Sequence, residues 1–226
     1  MNHKKLTHQS GFTILELMIA TVVLSVILLL VTSVMIGIQA LYYKGVNQEN
    51  VQNNVRSIVN EVSQEIQDNN LTVQPVALPY WVTVKSVPYQ EKALCIGSVR
   101  YLYVMGAQVG SETAQALWRD STPVTGCGTN GTAFSVAPNI INHTPADNGT
   151  EYVASGARLT DFQVTSPTGS NPNYVISVAV AIGNDGLLNL NNNATNNDYG
   201  AQCISNPGDQ FCATASLTTE VGQRIQ

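Results

Sequence analysis

From Leu17 to Ile38 the chain carries no charged residue. As a helix rising about 1.5 Å per residue, this run is long enough to cross the roughly 30 Å hydrocarbon layer of a bilayer. One carboxylate, Glu16, stands at its head. Insertion scales put a carboxylate at a helix centre at roughly 2.5 to 3.5 kcal/mol and lower near the end, so a compensating positive charge is expected. The residues before it, "MNHKKLTHQSG" (1–11), are short, basic and polar. Lys4 and Lys5 favour keeping them in the cytoplasm. A secretory signal peptide has a shorter apolar core followed by a small-residue cleavage site. Here the good small-residue position, Gly11, precedes the apolar run, so the order is inverted.

Beyond Gly37 the pattern changes. Val51, Val55, Ile58 or Val59, Val62 and Ile66 recur at spacings of three and four between polar residues, which predicts one apolar stripe on a helix. No proline occurs before Pro75. The two segments can therefore run as one helix over residues 12–68, membrane-spanning at about 17–38 and amphipathic over 39–68, with Gly37 and Gly45 as tolerated weak points. Asn69 and Asn70 are the expected stop. A helix this long needs a body to pack its second half against. That body is residues 69–226, where "YWVTVKSV", "SVRYLYVM", "TAFSVA", "ARLTDFQVTS" and "YVISVAVAI" read as strands between Gly, Pro, Asn and Ser. After the last of these, Asn184, Asp185 and Gly186 offer a tight turn into a returning strand. The expected fold class is α+β, a long N-terminal helix packed on a C-terminal antiparallel sheet.

Charged residues make up 11% of the chain and the net charge is -5, with the ten Lys and Arg scattered, so no basic nucleic-acid footprint is visible. Cys95, Cys127, Cys203 and Cys212 form no C-x-x-C pair. In an oxidising compartment they allow three connectivities; in the cytosol, four free thiols are the default. The turn-rich "ISNPGDQF" favours Cys203 with Cys212, which leaves Cys95 with Cys127. Of the histidines, His3 and His8 lie before Gly11, leaving His143 alone, a poor basis for metal or Ser-His chemistry. With no nucleotide or hydrolase motif in the remainder, no enzyme activity, cofactor or metal is expected. "NDGLLNLNNN" and "ADNGTE" hold oxygen donors but lack the alternating spacing of a calcium loop.

At "GFTILELMIA" the pattern becomes specific. A basic leader ending in Gly11, then Phe12, then Glu16, then an apolar helix resembles the class III signal of type IV pilins and type II secretion pseudopilins. "SVRYLYVM", "ALWRD" and "CISNPGDQFCATASLTTEVGQRI" look, more loosely, like the heads of minor pilins. The resemblance implies cleavage by a prepilin peptidase between Gly11 and Phe12, N-methylation of Phe12, and a pairing of Glu16 with the α-amine of a neighbouring Phe12. It implies a minor filament subunit of a type IV pilus, or alternatively a type II secretion pseudopilin. Its partners would be other pilin subunits, the pilus assembly platform and the membrane. Before assembly it would be a single-pass membrane protein with its head outside the cytoplasm. A different reading of the same residues is a single-pass surface binding protein that never assembles. The apolar stretch departs from the commonest major-pilin pattern in lacking a proline, with Ser33 and Gly37 in its place.

Overall fold

The computed structural model describes residues 11–69, 73–76, 81–84, 87–97, 99–110, 116–120, 149–168, 173–190, 201–204 and 208–222. The chain divides into two compact units, Met1–Tyr42 and Tyr43–Gln226. One helix, α1 (Ile14–Asn69), enters both, unbroken at Gly37 and Gly45. Neither glycine is there to make room, since a Cβ would meet nothing at either position.

In the first unit the large apolar side chains are exposed, from 51% at Val26 and Ile27 to 84% at Phe12. The second unit packs. Val51, Val55, Ile58, Val59, Val62 and Ile66 are all at 4% exposure or less. Both Ile58 and Val59 belong to the stripe, because a buried helix face is wide enough to take adjacent residues.

Eleven strands are present among the described residues: β1 (Val73–Val76), β2 (Trp81–Val84), β3 (Val87–Ile96), β4 (Val99–Val104), β5 (Leu117–Asp120), β6 (Gly149–Glu151), β7 (Ala157–Thr165), β8 (Tyr174–Ile182), β9 (Leu188–Leu190), β10 (Ala201–Cys203) and β11 (Ala213–Val221). A six-stranded antiparallel sheet has the order β1-β3-β4-β5-β6, with β2 also paired to β3. A three-stranded antiparallel sheet runs β11-β8-β7, and β9 pairs with β10 in a small sheet of its own. The two larger sheets meet where Gly106 N donates to Leu159 O (2.8 Å) and Val109 N to Ala157 O (2.9 Å).

The side-chain period of two explains which face covers α1. Along β8, Tyr174, Ile176, Val178 and Val180 are buried while Val175, Ser177 and Ala179 are half-buried. The helix stripe, the buried face of β8, Leu159 and Phe162 of β7, and Tyr101 and Tyr103 of β4 form one core. Tyr103 and Phe162 meet edge to face at 5.0 Å between centroids. Polar contacts set the helix's position on this core. Asn54 Nδ2 donates to Tyr152 O (2.6 Å), its Oδ1 accepts from Ala154 N (3.2 Å), and Arg119 of β5 reaches Glu65 at 2.9 Å and Glu61 at 3.5 Å. Burial raises the Tyr101 phenol above its ordinary range, and the nearby Glu65 carboxylate adds to the shift.

Two sequence expectations need correction. "YWVTVKSV" is not one strand: Trp81–Val84 pairs antiparallel with Val87–Gln90, with Val84 opposite Val87 in the register. The strand after Asn184 to Gly186 does return, but to β10. Both edges of β8 are already filled over most of its length, by β7 and by β11. The expected strand "TAFSVA" lies outside the described residues.

Candidate functional site

The candidate site begins where α1 begins. Gly11 to Thr13 precede the first helical residue, Ile14. Thr13 caps the helix, its Oγ1 accepting from Glu16 N at 3.3 Å while its carbonyl accepts from Leu17 N at 3.2 Å. Thr13 and Glu16 stand in T-x-x-E order, a helix-start signal legible in "TILE", and the half of it in which Thr13 Oγ1 accepts from Glu16 N is formed. Sequence reasoning about the buried charge passed over it. The first turn also presents the positive end of the helix dipole, worth about 0.3 to 1 kcal/mol to an exposed carboxylate. Among the described residues Glu16 forms no ion pair.

Gly11 is not demanded by the local fold. An added Cβ would meet no atom within 4 Å, and its φ lies outside the left-handed region. Phe12 follows it with its ring at 84% exposure.

Downstream, the apolar run is prepared for an environment without water. Its four hydroxyls are all turned onto carbonyls of the preceding turn: Thr21 to Met18 O (2.9 Å), Ser25 to Val22 O (2.7 Å), Thr32 to Leu28 O (2.7 Å) and Ser33 to Leu30 O (2.8 Å). Hydroxyls bonded in this way avoid the cost of an unpaired polar group in hydrocarbon. By length and composition α1 can cross a membrane.

Residues 6–32 match the family model for the prokaryotic N-terminal methylation motif. That motif supports a type IV pilin-like prepilin. The match takes in Gly11, Phe12 and Glu16 together with most of the exposed apolar helix. No curated protein and no solved structure matches the chain.

Elsewhere, Cys203 and Cys212 are joined, with Cα atoms 5.7 Å apart, across the turn that suggested the pairing. Cys95 is buried and disulfide-bonded. Its expected partner, Cys127, lies outside the described residues. The oxygen-rich stretches have local partners. Asn184 Oδ1 accepts from Gly186 N at 3.1 Å, and Asp185 pairs with the buried Arg158. Glu151 accepts from the backbone N–H groups of Ala116 (2.9 Å), Leu117 (3.0 Å) and Val153 (2.8 Å). Burial raises its carboxyl to about 7, outweighing the pull of those donors. Asp147 and Asn148 lie outside the described residues, as does His143.

Proposed function

We propose that the chain is a structural, non-catalytic subunit of a type IV pilus or related filament, in a minor rather than bulk role. A prepilin peptidase cleaves between Gly11 and Phe12 on the cytoplasmic side and methylates the new α-amine of Phe12. The assembly platform then draws the subunit out of the membrane, its head already outside the cytoplasm, and α1 packs against the helices of other pilins. Glu16 sets the axial register by meeting the Phe12 amine of a neighbour, which supplies the positive charge that a carboxylate in an apolar core requires.

The observation that carries this reading is Glu16 in the first turn of a helix whose apolar surface has no cover within its own unit. Gly11 supports it: with no local packing or backbone reason to be glycine, the residue is accounted for by the cut that follows it.

The test is N-terminal mass spectrometry of protein from the native envelope and from the sheared surface fraction, together with the Glu16→Val variant. A methylated Phe12 start is expected in both forms, with the variant retained in the membrane and depleted from filaments. An intact leader through Gly11, in a host with a working peptidase, would turn the reading to a single-pass binding protein. Undiminished assembly of Glu16→Val would remove the register role alone.

A further inference from the structure

Strand β11 is a long edge of the head. Among the described residues it pairs with β8 alone, with Ala213 opposite Ile182, Val221 opposite Tyr174 and no register shift between them. The pattern of hydrogen bonds fixes which backbone groups its other side offers. On β7 the carbonyls of Ala157 and Leu159 are turned away from β8, accepting from Val109 N and Gly106 N. Backbone groups alternate sides along an antiparallel pair, so Val180, opposite Leu159 on one side and Ala215 on the other, turns its groups towards Ala215. The N–H and C=O of Thr214, Ser216 and Thr218 therefore point away from the sheet. Thr214 agrees, since its carbonyl accepts from Gln48 Nε2 of α1 at 3.2 Å. Among the described residues the backbones of Ser216 and Thr218 have no partner on that side. Edge strands are commonly short, or interrupted by proline, lysine or a bulge, which keeps other chains from pairing with them. β1 is four residues long and holds Pro75, whereas β11 runs nine residues with no proline, lysine or bulge.

Beside this edge the helix-facing side of β11 is open. Side chains alternate along the strand, so Ala213, Leu217 and Val221 share the face that joins the core. Ala213 and Val221, at the two ends, are 3% and 4% exposed, while Leu217 between them is 37% exposed. The gap is a groove of about 320 Å³, walled on the helix by Gln48, Gln52 and Arg56 and on the strand by Ser216, with Val55 and Leu217 as its apolar part. Arg56 is exposed and forms no ion pair among the described residues. No described carboxylate lines the groove.

We propose that β11 takes up an extended acidic segment of a different filament subunit as a fourth strand of its sheet. The segment's backbone pairs with Ser216 and Thr218, one apolar side chain enters the groove against Leu217 and Val55, and a carboxylate two residues along, on the same face, meets Arg56. Strand addition of this kind draws affinity from the main chain and specificity from alternate side chains. The occupant is acidic because the groove offers amide and guanidinium donors and no described carboxylate. The β11 edge of a second copy does not fit: its acid, Glu220, alternates with Val221 and so lies on the face away from α1. The proposal rests on the reading of the chain as a filament subunit, which brings other subunits within reach of the edge.

The test places the photo-cross-linker p-benzoylphenylalanine at Gln52, on the groove wall, in the full chain in its native host, and irradiates the sheared filament fraction. The product expected on mass-spectrometric sequencing joins the groove to a peptide of a different filament subunit in which Asp or Glu lies two residues from an apolar residue. Ser216→Pro removes an outward N–H while leaving the bonds to β8 in place, and should lower the yield about tenfold. Arg56→Glu should lower it about fivefold without touching the edge. Both variants should keep the wild-type near-ultraviolet spectrum; if Ser216→Pro does not fold, Arg56→Glu decides alone. An unchanged yield in either folded variant, a product joining two copies of this chain, or no product from filaments that contain the chain would overturn the proposal. Absence of the chain from the filaments would remove the filament reading itself, and the added strand with it.

Discussion

Replacing Ile58 by alanine tests whether the second half of α1 is held to the sheets as the packing indicates. Ile58 is fully buried at the centre of the stripe, within the core formed with β4, β7 and β8. The change removes three carbons, about 2.4 kcal/mol of transfer free energy at ~0.8 kcal/mol per buried CH2. The cavity left behind adds to this, and measured Ile→Ala losses in cores run from about 2 to 5 kcal/mol. Alanine returns a few tenths through its better helix propensity. The expected net loss is about 3 kcal/mol. Urea unfolding of the full chain in a non-ionic detergent would read it, followed by the fluorescence of Trp118, which is 3% exposed on β5. With a urea slope of about 2 kcal/mol/M, the midpoint should fall by about 1.5 M. Ser57→Ala, on the exposed side of the same turn, should move it by no more than about 0.5 kcal/mol. If the two variants lose the same small amount, the stripe does not bear the packing assigned to it.

Two further outcomes follow from single contacts. An added Cβ at Gly149 would lie 2.2 Å from Nε1 of Trp118, so Gly149→Ala must displace the indole. A loss of about 1 to 3 kcal/mol or more is expected, with a changed near-ultraviolet tryptophan spectrum; an unaltered spectrum and midpoint would contradict the close approach. Glu151, whose carboxyl burial raises from 4.5 to about 7, contributes stability that is fully present below pH 4.5 and is lost as pH rises through about 7. At ~1.36 kcal/mol per unit the loss is about 3 kcal/mol. Glu151→Gln should flatten the stability profile between pH 4.5 and 7, and parallel wild-type and variant profiles would count against the raised carboxyl.

Much of the protein was written in local pattern. The uncharged run, Gly11, Phe12 and Glu16 are contiguous, and the amphipathic stripe needs only a period of three and four, so the long helix and the prepilin start were legible without any partner in view. The 203–212 turn named its own disulfide for the same reason. Short strands were less legible. β1, β3, β5 and β11 owe their strand form to neighbours more than to composition, and "ATASLTTEV" becomes a nine-residue strand because β8 offers it a full register.

What only the tertiary structure decided are the meetings of distant residues. The sequence puts Phe211 in a turn and Tyr43 on a helix, and nothing in either pattern says that they touch. Nor does any local signal place Arg119 against Glu61 and Glu65, or the Trp118 indole over Gly149. Helical periodicity and capping act within a few residues, so they can be read along the chain. Sheet order and side-chain packing are settled by which surfaces bury each other best, and that choice exists only once the whole core has closed.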